Sequence, residues 1–169
     1  NKDLKYLIFF LILSILAILY YKSHDDFPYY HLSFTHNLTL NKLEFGLGNF
    51  DLAFNHVSSL FFFHSLFRLP FTQDYFYFLG PALIMVFANT ILIESIYENK
   101  KKLNFHFFLK LFIFVFINVF FYRLAEHGTD RSAIILIFLS IFIIFEILDN
   151  SKLKNQAFEN LIILLTFII

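Results

Sequence analysis

The sequence predicts an all-α polytopic membrane protein, and three observations carry that prediction. Hydrophobic residues make up 59% of the 169-residue chain and charged residues only 15%, which is too apolar for a soluble domain of this length. The apolar residues gather in long runs separated by charged punctuation. The basic residues are shared unequally between alternate connections, as the retention of Lys and Arg on the cytoplasmic side produces.

A helix needs ~20 mostly apolar residues to cross a hydrocarbon core of ~30 Å. Four runs qualify as complete spans: 4–21, 75–93, 103–122 and 132–148. The first carries only Lys5, at its edge. The second has no charge but holds Gly80 and Pro81, tolerable inside a membrane helix when neighbours satisfy the freed carbonyl. The third contains Lys110, expected to snorkel to the nearer interface, and the fourth contains Glu146 close to its end. A fifth run, 161–169, stops in mid-membrane, which would leave backbone groups unsatisfied in lipid, and the chain starts on Asn1. The expectation is therefore a fragment, with 1–169 forming a single transmembrane domain of about four complete helices and a truncated fifth. The first run lacks a small-residue cleavage site, since "LYYKSHDD" follows directly, so it is expected to stay as an anchor.

Composition also sets aside several classes. A formal net charge of zero argues against nucleic-acid binding, which needs a basic excess on some face. Without Cys there is no disulfide framework, thiol catalysis or thiolate metal site. No G-x-x-x-x-G-K-[ST], H-E-x-x-H or G-x-S-x-G pattern occurs, and no internal repeat relates the two halves.

With the N-terminus inside, the cytoplasmic segments hold Lys2, Lys5, Lys100, Lys101, Lys102, Lys152 and Lys154. The loop 22–74 and the connection 123–131 then share the outer side. Every arginine (Arg68, Arg123, Arg131) and every histidine except His106 falls in those two segments. The loop 22–74 is too long for a plain connection and too rich in Phe, Leu and Tyr to be disordered. "YYHLSFTHNLTL" reads as a short amphipathic interfacial helix, "FGLGNF" as a turn using Gly46 and Gly48, and "HVSSLFFFHSLFRLP" as a second apolar helix ended by Pro70. Together they form a cap folded onto the membrane surface.

The cap opens with "HDDFPYYH". Asp25 and Asp26 stand just beyond the lipid boundary, where desolvation favours a raised carboxylate pKa suited to a general base or to holding a divalent cation. The plain alternative is that they solvate the helix end and meet Lys22. "RLAEHGTDRS" in the other outer segment sets Arg123 and Arg131 where a guanidinium can hold a phosphate with two hydrogen bonds, or can pair with Glu126 and Asp130 inside the loop. The histidine spacings do not put two imidazoles on one helix face, which disfavours a dedicated histidine metal site. Asn37-Leu38-Thr39 matches the N-glycosylation acceptor pattern.

A membrane helix followed at once by an acidic pair and an aromatic cluster, "HDDFPYYH", then a long outer loop with interfacial helices, resembles the polytopic glycosyltransferases of the C superfamily, the protein mannosyltransferase and aminoarabinose transferase type. The likeness spans roughly residues 4–148 and is closest to bacterial members with counterparts of "FGLGNF" and "SSLFFFHSLF". It implies an inner-membrane enzyme of the cell envelope that transfers a hexosyl or pentosyl group from a polyprenyl-phosphate donor to an extracytoplasmic acceptor. It further implies Asp25 or Asp26 as base or ligand of a divalent cation (Mg or Mn), with Tyr29, Tyr30 and His31 lining the sugar site. Arg131 and Arg123, with His127 beside them, are the candidates for the lipid phosphate. Two other readings stay open: a non-catalytic glycolipid or polysaccharide transporter or polymerase subunit, and an assembly protein whose outer loop docks a partner. Transport predicts polar residues near the bilayer midplane, where only Asn89, Asn118 and small hydroxyls occur.

Overall fold

A computed structural model describes residues 2–19, 26–42, 44–55, 58–71, 74–99, 103–119, 128–149, 158–159 and 161–163 of the chain. Every regular element among them is helical. Helix α1 runs Lys2–Leu19, and the four-helix body is completed by α4 (Leu79–Asn99), α5 (Phe105–Val119) and α6 (Thr129–Asp149), with α2 (Leu32–Leu40) and α3 (Ser59–Ser65) in the cap between α1 and α4. Two stretches, Phe76–Glu98 and Thr129–Leu148, are long and apolar enough to cross a membrane, while Leu4–Leu16 and Phe105–Val119 are shorter apolar helices.

Helix α4 is the centre, packed against α1, α5 and α6. Its burial pattern shows why: Ala88, Asn89 and Thr90 are all buried in succession, so neighbours enclose several faces, and the exposed residues Phe87, Ile91 and Glu94 form a single i, i+4, i+7 stripe. Met85, Ala88 and Leu92 of α4 meet Ile113 and Ile117 of α5 and Ile135, Leu139 and Phe142 of α6 in one apolar core. The outward residues of α5 remain apolar: Phe108, Phe112, Val115 and Val119 are each more than half exposed. In a helix whose every face is apolar, hydropathy alone cannot choose the inward face. The choice falls to Ile113, Ile117, Lys110 and Asn118.

Three details depart from the sequence expectation. The second span is expected to start at 75, but Asp74–Phe78 is 3₁₀ and α4 begins at Leu79, which places Gly80 and Pro81 in its first turn. There the missing proline N–H is an unpaired donor position anyway, so no kink is required. Helix α3 ends at Ser65, before Pro70, and tightens into i→i+3 bonds from Leu66, Phe67 and Arg68 to Phe63, His64 and Ser65. Lys110 does not snorkel: it is 4% exposed, and its Nζ lies 2.5 Å from Glu146 Oε1 and 5.5 Å from the centre of the Phe142 ring. The partner supplied by α6 makes burial of the ammonium tolerable, because a paired buried charge escapes most of the penalty of an isolated one. Asn89 and Asn118 pair in the same way, each amide donating to the other's carbonyl at 3.1 and 2.6 Å.

The cap docks at the end of the body where α4 and α6 begin. Phe27 stacks on Phe78 at 5.3 Å between ring centres. Thr39 Oγ1 donates to His36 O at 2.7 Å and lies 3.1 Å from Tyr77 Oη, while Arg68 Nη1 donates to it at 3.0 Å. With its one proton given to His36, the hydroxyl uses both lone pairs on Tyr77 and Arg68. That triangle ties α2, the tail of α3 and the approach to α4 together, and it gives the third residue of the Asn37-Leu38-Thr39 pattern a structural role.

Candidate functional site

The stretch Phe27–His31 forms a π-helical turn before α2. Pro28 in its first turn has no N–H to contribute, and Thr35 Oγ1 and Ser33 Oγ back-bond to the carbonyls of His31 and Tyr29 at 2.9 and 3.0 Å. Such wide turns re-aim side chains and recur at functional positions. Asp26 precedes the turn in helical conformation, and its carboxylate makes no capping hydrogen bond to it.

Tyr30 lies where the cap comes close to the start of α6. Burial raises its phenol above the ordinary value of 10, and the carboxylates of Asp26 and then Asp130 raise it further. Asp26 belongs to the cap, whereas Asp130 stands in the first turn of α6. Beside Tyr30, the His31 ring makes an edge contact at 4.2 Å, and His31 also covers Gly128, where an added Cβ would lie 3.2 Å from its Cε1. The next layer inward holds Phe61, 5.8 Å from His31, and His64, which is fully buried over Gly80. An added Cβ at Gly80 would lie 2.4 Å from His64 Cδ2, so the glycine is required for α3 to approach α4. Burial first, and His31 second, push the His64 imidazole down to about 3.

Of the residues expected at the site, Asp26, Tyr30 and His31 thus gather at the junction, and Arg131 is half-buried on the first turn of α6 beside Asp130. Tyr29, by contrast, is 67% exposed. Asp25, Arg123 and His127 lie outside the described residues. Among the described residues no three His, Cys, Asp or Glu side chains converge as a metal set; Asp25, the other residue expected to hold a divalent cation, is not among them. The sequence analysis considered Asp130 only as one possible intraloop partner of Arg131 and missed its effect on Tyr30. The available signal was its place just after Gly128 at the start of an apolar run, the position of a helix first turn. Ser132, next in that turn, is fully buried, with no hydrogen bond to its Oγ among the described residues.

A second concavity lies wholly within the cap. A cavity of about 260 Å³ is enclosed by α2, the turn at Gly46 and α3, with Phe34, Phe54 and Phe62 among its walls and Asn37, Asn49 and Asn55 among its polar groups. Gly46 closes the turn in left-handed conformation at φ +88°, open to glycine without strain.

One family model, described as a domain of unknown function (DUF8201), matches residues 1–169. No curated protein and no solved structure matches the chain.

Proposed function

The chain belongs to the DUF8201 family, a domain of unknown function, and from that starting point we propose that it serves a membrane glycosyltransferase reaction using a polyprenyl-phosphate-linked sugar. In this reading α1, α4, α5 and α6 are four spans of the bacterial inner membrane, the N-terminus is cytoplasmic, and the cap faces outward. Two of these helices have the length and apolarity of a span, and large apolar residues stay exposed along α1 and α5, as lipid contact requires.

The observation that carries the proposal is the convergence of Asp26 and Asp130, from separate outer segments, on Tyr30, with Arg131 one residue away at the N-terminus of α6. Asp26 would take the proton of the acceptor hydroxyl as its oxygen attacks the anomeric carbon. The bond from that carbon to the phosphate oxygen breaks, and its electron pair leaves with the polyprenyl phosphate. Arg131 and the positive end of the α6 dipole would stabilise that leaving charge. Tyr30 and His31 would bound the sugar. Passage of a substrate through the body is disfavoured, because its interior polar groups bind one another: Asn89 with Asn118, and Lys110 with Glu146.

Sugar transfer from a polyprenyl-phosphate donor is to be compared in membranes holding the full protein and its Asp26→Asn variant at matched levels. Loss of a positioned base predicts a fall of about 10²-fold or more. Unchanged transfer in Asp26→Asn overturns the assignment and leaves a docking role for the cap.

A further inference from the structure

We propose that the cap cavity beneath the Gly46 turn is a saccharide-binding subsite, separate from the Asp26–Tyr30 junction. Its walls combine two chemistries that a sugar ring presents together. Phe45 and Phe62 are exposed and offer ring surface to the cavity, while Phe34 and Phe54, packed against each other with centres 5.9 Å apart, complete its aromatic lining. Such faces suit the C–H side of a pyranose. Asn37, Asn49 and Asn55 supply planar amides, each with two donors and an acceptor, which suit neighbouring hydroxyls. Lys42 and Glu44 stand at the same cavity as a pair of opposite charges, so no net charge selects an anion or cation. Asn37 Oδ1 already accepts from Asn41 Nδ2, but a wholly apolar ligand would leave the Asn49 and Asn55 amides desolvated at a cost to binding. A neutral polyhydroxylated ring satisfies both sets of groups.

The cavity lies near the lower end of the usual range for small-molecule pockets, in keeping with one sugar unit rather than a lipid tail. Its position adds to the case. Phe34, in its wall, meets Phe61 edge-on at 5.2 Å, and Phe61 meets His31 at 5.8 Å, so the cavity is two ring contacts from the junction. A saccharide chain held here by one unit would be anchored on the same cap that carries Asp26. Binding itself does not depend on the catalytic reading.

The test is saturation-transfer NMR on the purified full protein in detergent, with methyl glucoside, methyl mannoside and N-acetylglucosamine as separate probes and octanoate as an apolar control. Phe45 is 93% exposed and Asn49 is also exposed, so Phe45→Ala and Asn49→Ala change the cavity without removing core packing. The expected result is millimolar or tighter binding of at least one saccharide, weakened about tenfold in each variant and unchanged in Glu98→Gln, at the far end of α4 from the cap. No saccharide signal in the wild type, equal binding in both cavity variants, or binding of octanoate alone overturns the subsite. Because Asp26→Asn reports on transfer and the cavity variants on binding, the two proposals fail independently.

Discussion

Removing either partner of the Lys110–Glu146 pair separates the cost of an unpaired charge from the worth of the pair. The Lys110 side chain is 5% exposed and that of Glu146 is 26% exposed. Glu146→Leu therefore strands an ammonium with almost no water, and breaking a buried pair in this way costs about 3–5 kcal/mol. Lys110→Met strands a carboxylate that keeps a quarter of its exposure, so the loss should be smaller, about 1–2 kcal/mol once hydration is allowed for. The ring of Phe142 below Lys110 offsets a little of the first cost and none of the second. Replacing both residues, Lys110→Met with Glu146→Leu, removes both charges and should lie close to the wild type, because two apolar side chains fill the same seam. The assay is thermal unfolding followed by helical circular dichroism in a fixed detergent. At about 2–4 °C per kcal/mol for a chain of this size, Glu146→Leu should fall by roughly 10 °C, with Lys110→Met well above it and the double variant recovering most of the loss. A double variant as unstable as the sum of the single ones would refute the account. So would a greater loss in Lys110→Met than in Glu146→Leu.

Three further outcomes follow from the packing. His64 is neutral when folded down to about 3 but takes up a proton near 6.5 when unfolded, so the unfolded state binds more protons between those values and stability falls as pH drops through that window. The loss is on the order of 4–5 kcal/mol by pH 3, and His64→Leu should flatten that part of a melting-temperature profile taken from pH 7 to pH 4. Gly80→Ala should destabilise by about 1–3 kcal/mol in chemical unfolding despite the better helix propensity, since the new methyl meets the His64 ring and the α3 backbone behind it; Gly128→Ala, which meets only the edge of His31, should cost less. Asn89→Leu alone leaves Asn118 Oδ1 without its donor, while Asn118 Nδ2 keeps Phe114 O, and should cost about 1–3 kcal/mol, whereas Asn89→Leu with Asn118→Leu should recover part of it in the same melt.

The helical body and the cap were legible in the sequence because they rest on local properties. Long apolar runs fix where helices lie, Gly46 with its neighbours fixes a turn, and Ser58 before an apolar run marks the start of α3, where its Oγ accepts from the Leu60 N–H. The cap and the start of α6 meet at one end of the body, His31 against Gly128. Asp26, Tyr30 and His31 were singled out by their clustering after α1.

What only the tertiary structure decided is which polar groups face one another. Lys110 and Glu146 stand on different helices, as do Asn89 and Asn118, and as do Asp26 and Asp130 around Tyr30. A uniformly apolar helix such as α5 carries no periodic mark of its inward face, so rotation about its axis is set by these few polar partners and by the shape of α4. Hydropathy is a property of one segment, whereas pairing across segments depends on rotation and register, which exist only once the helices pack.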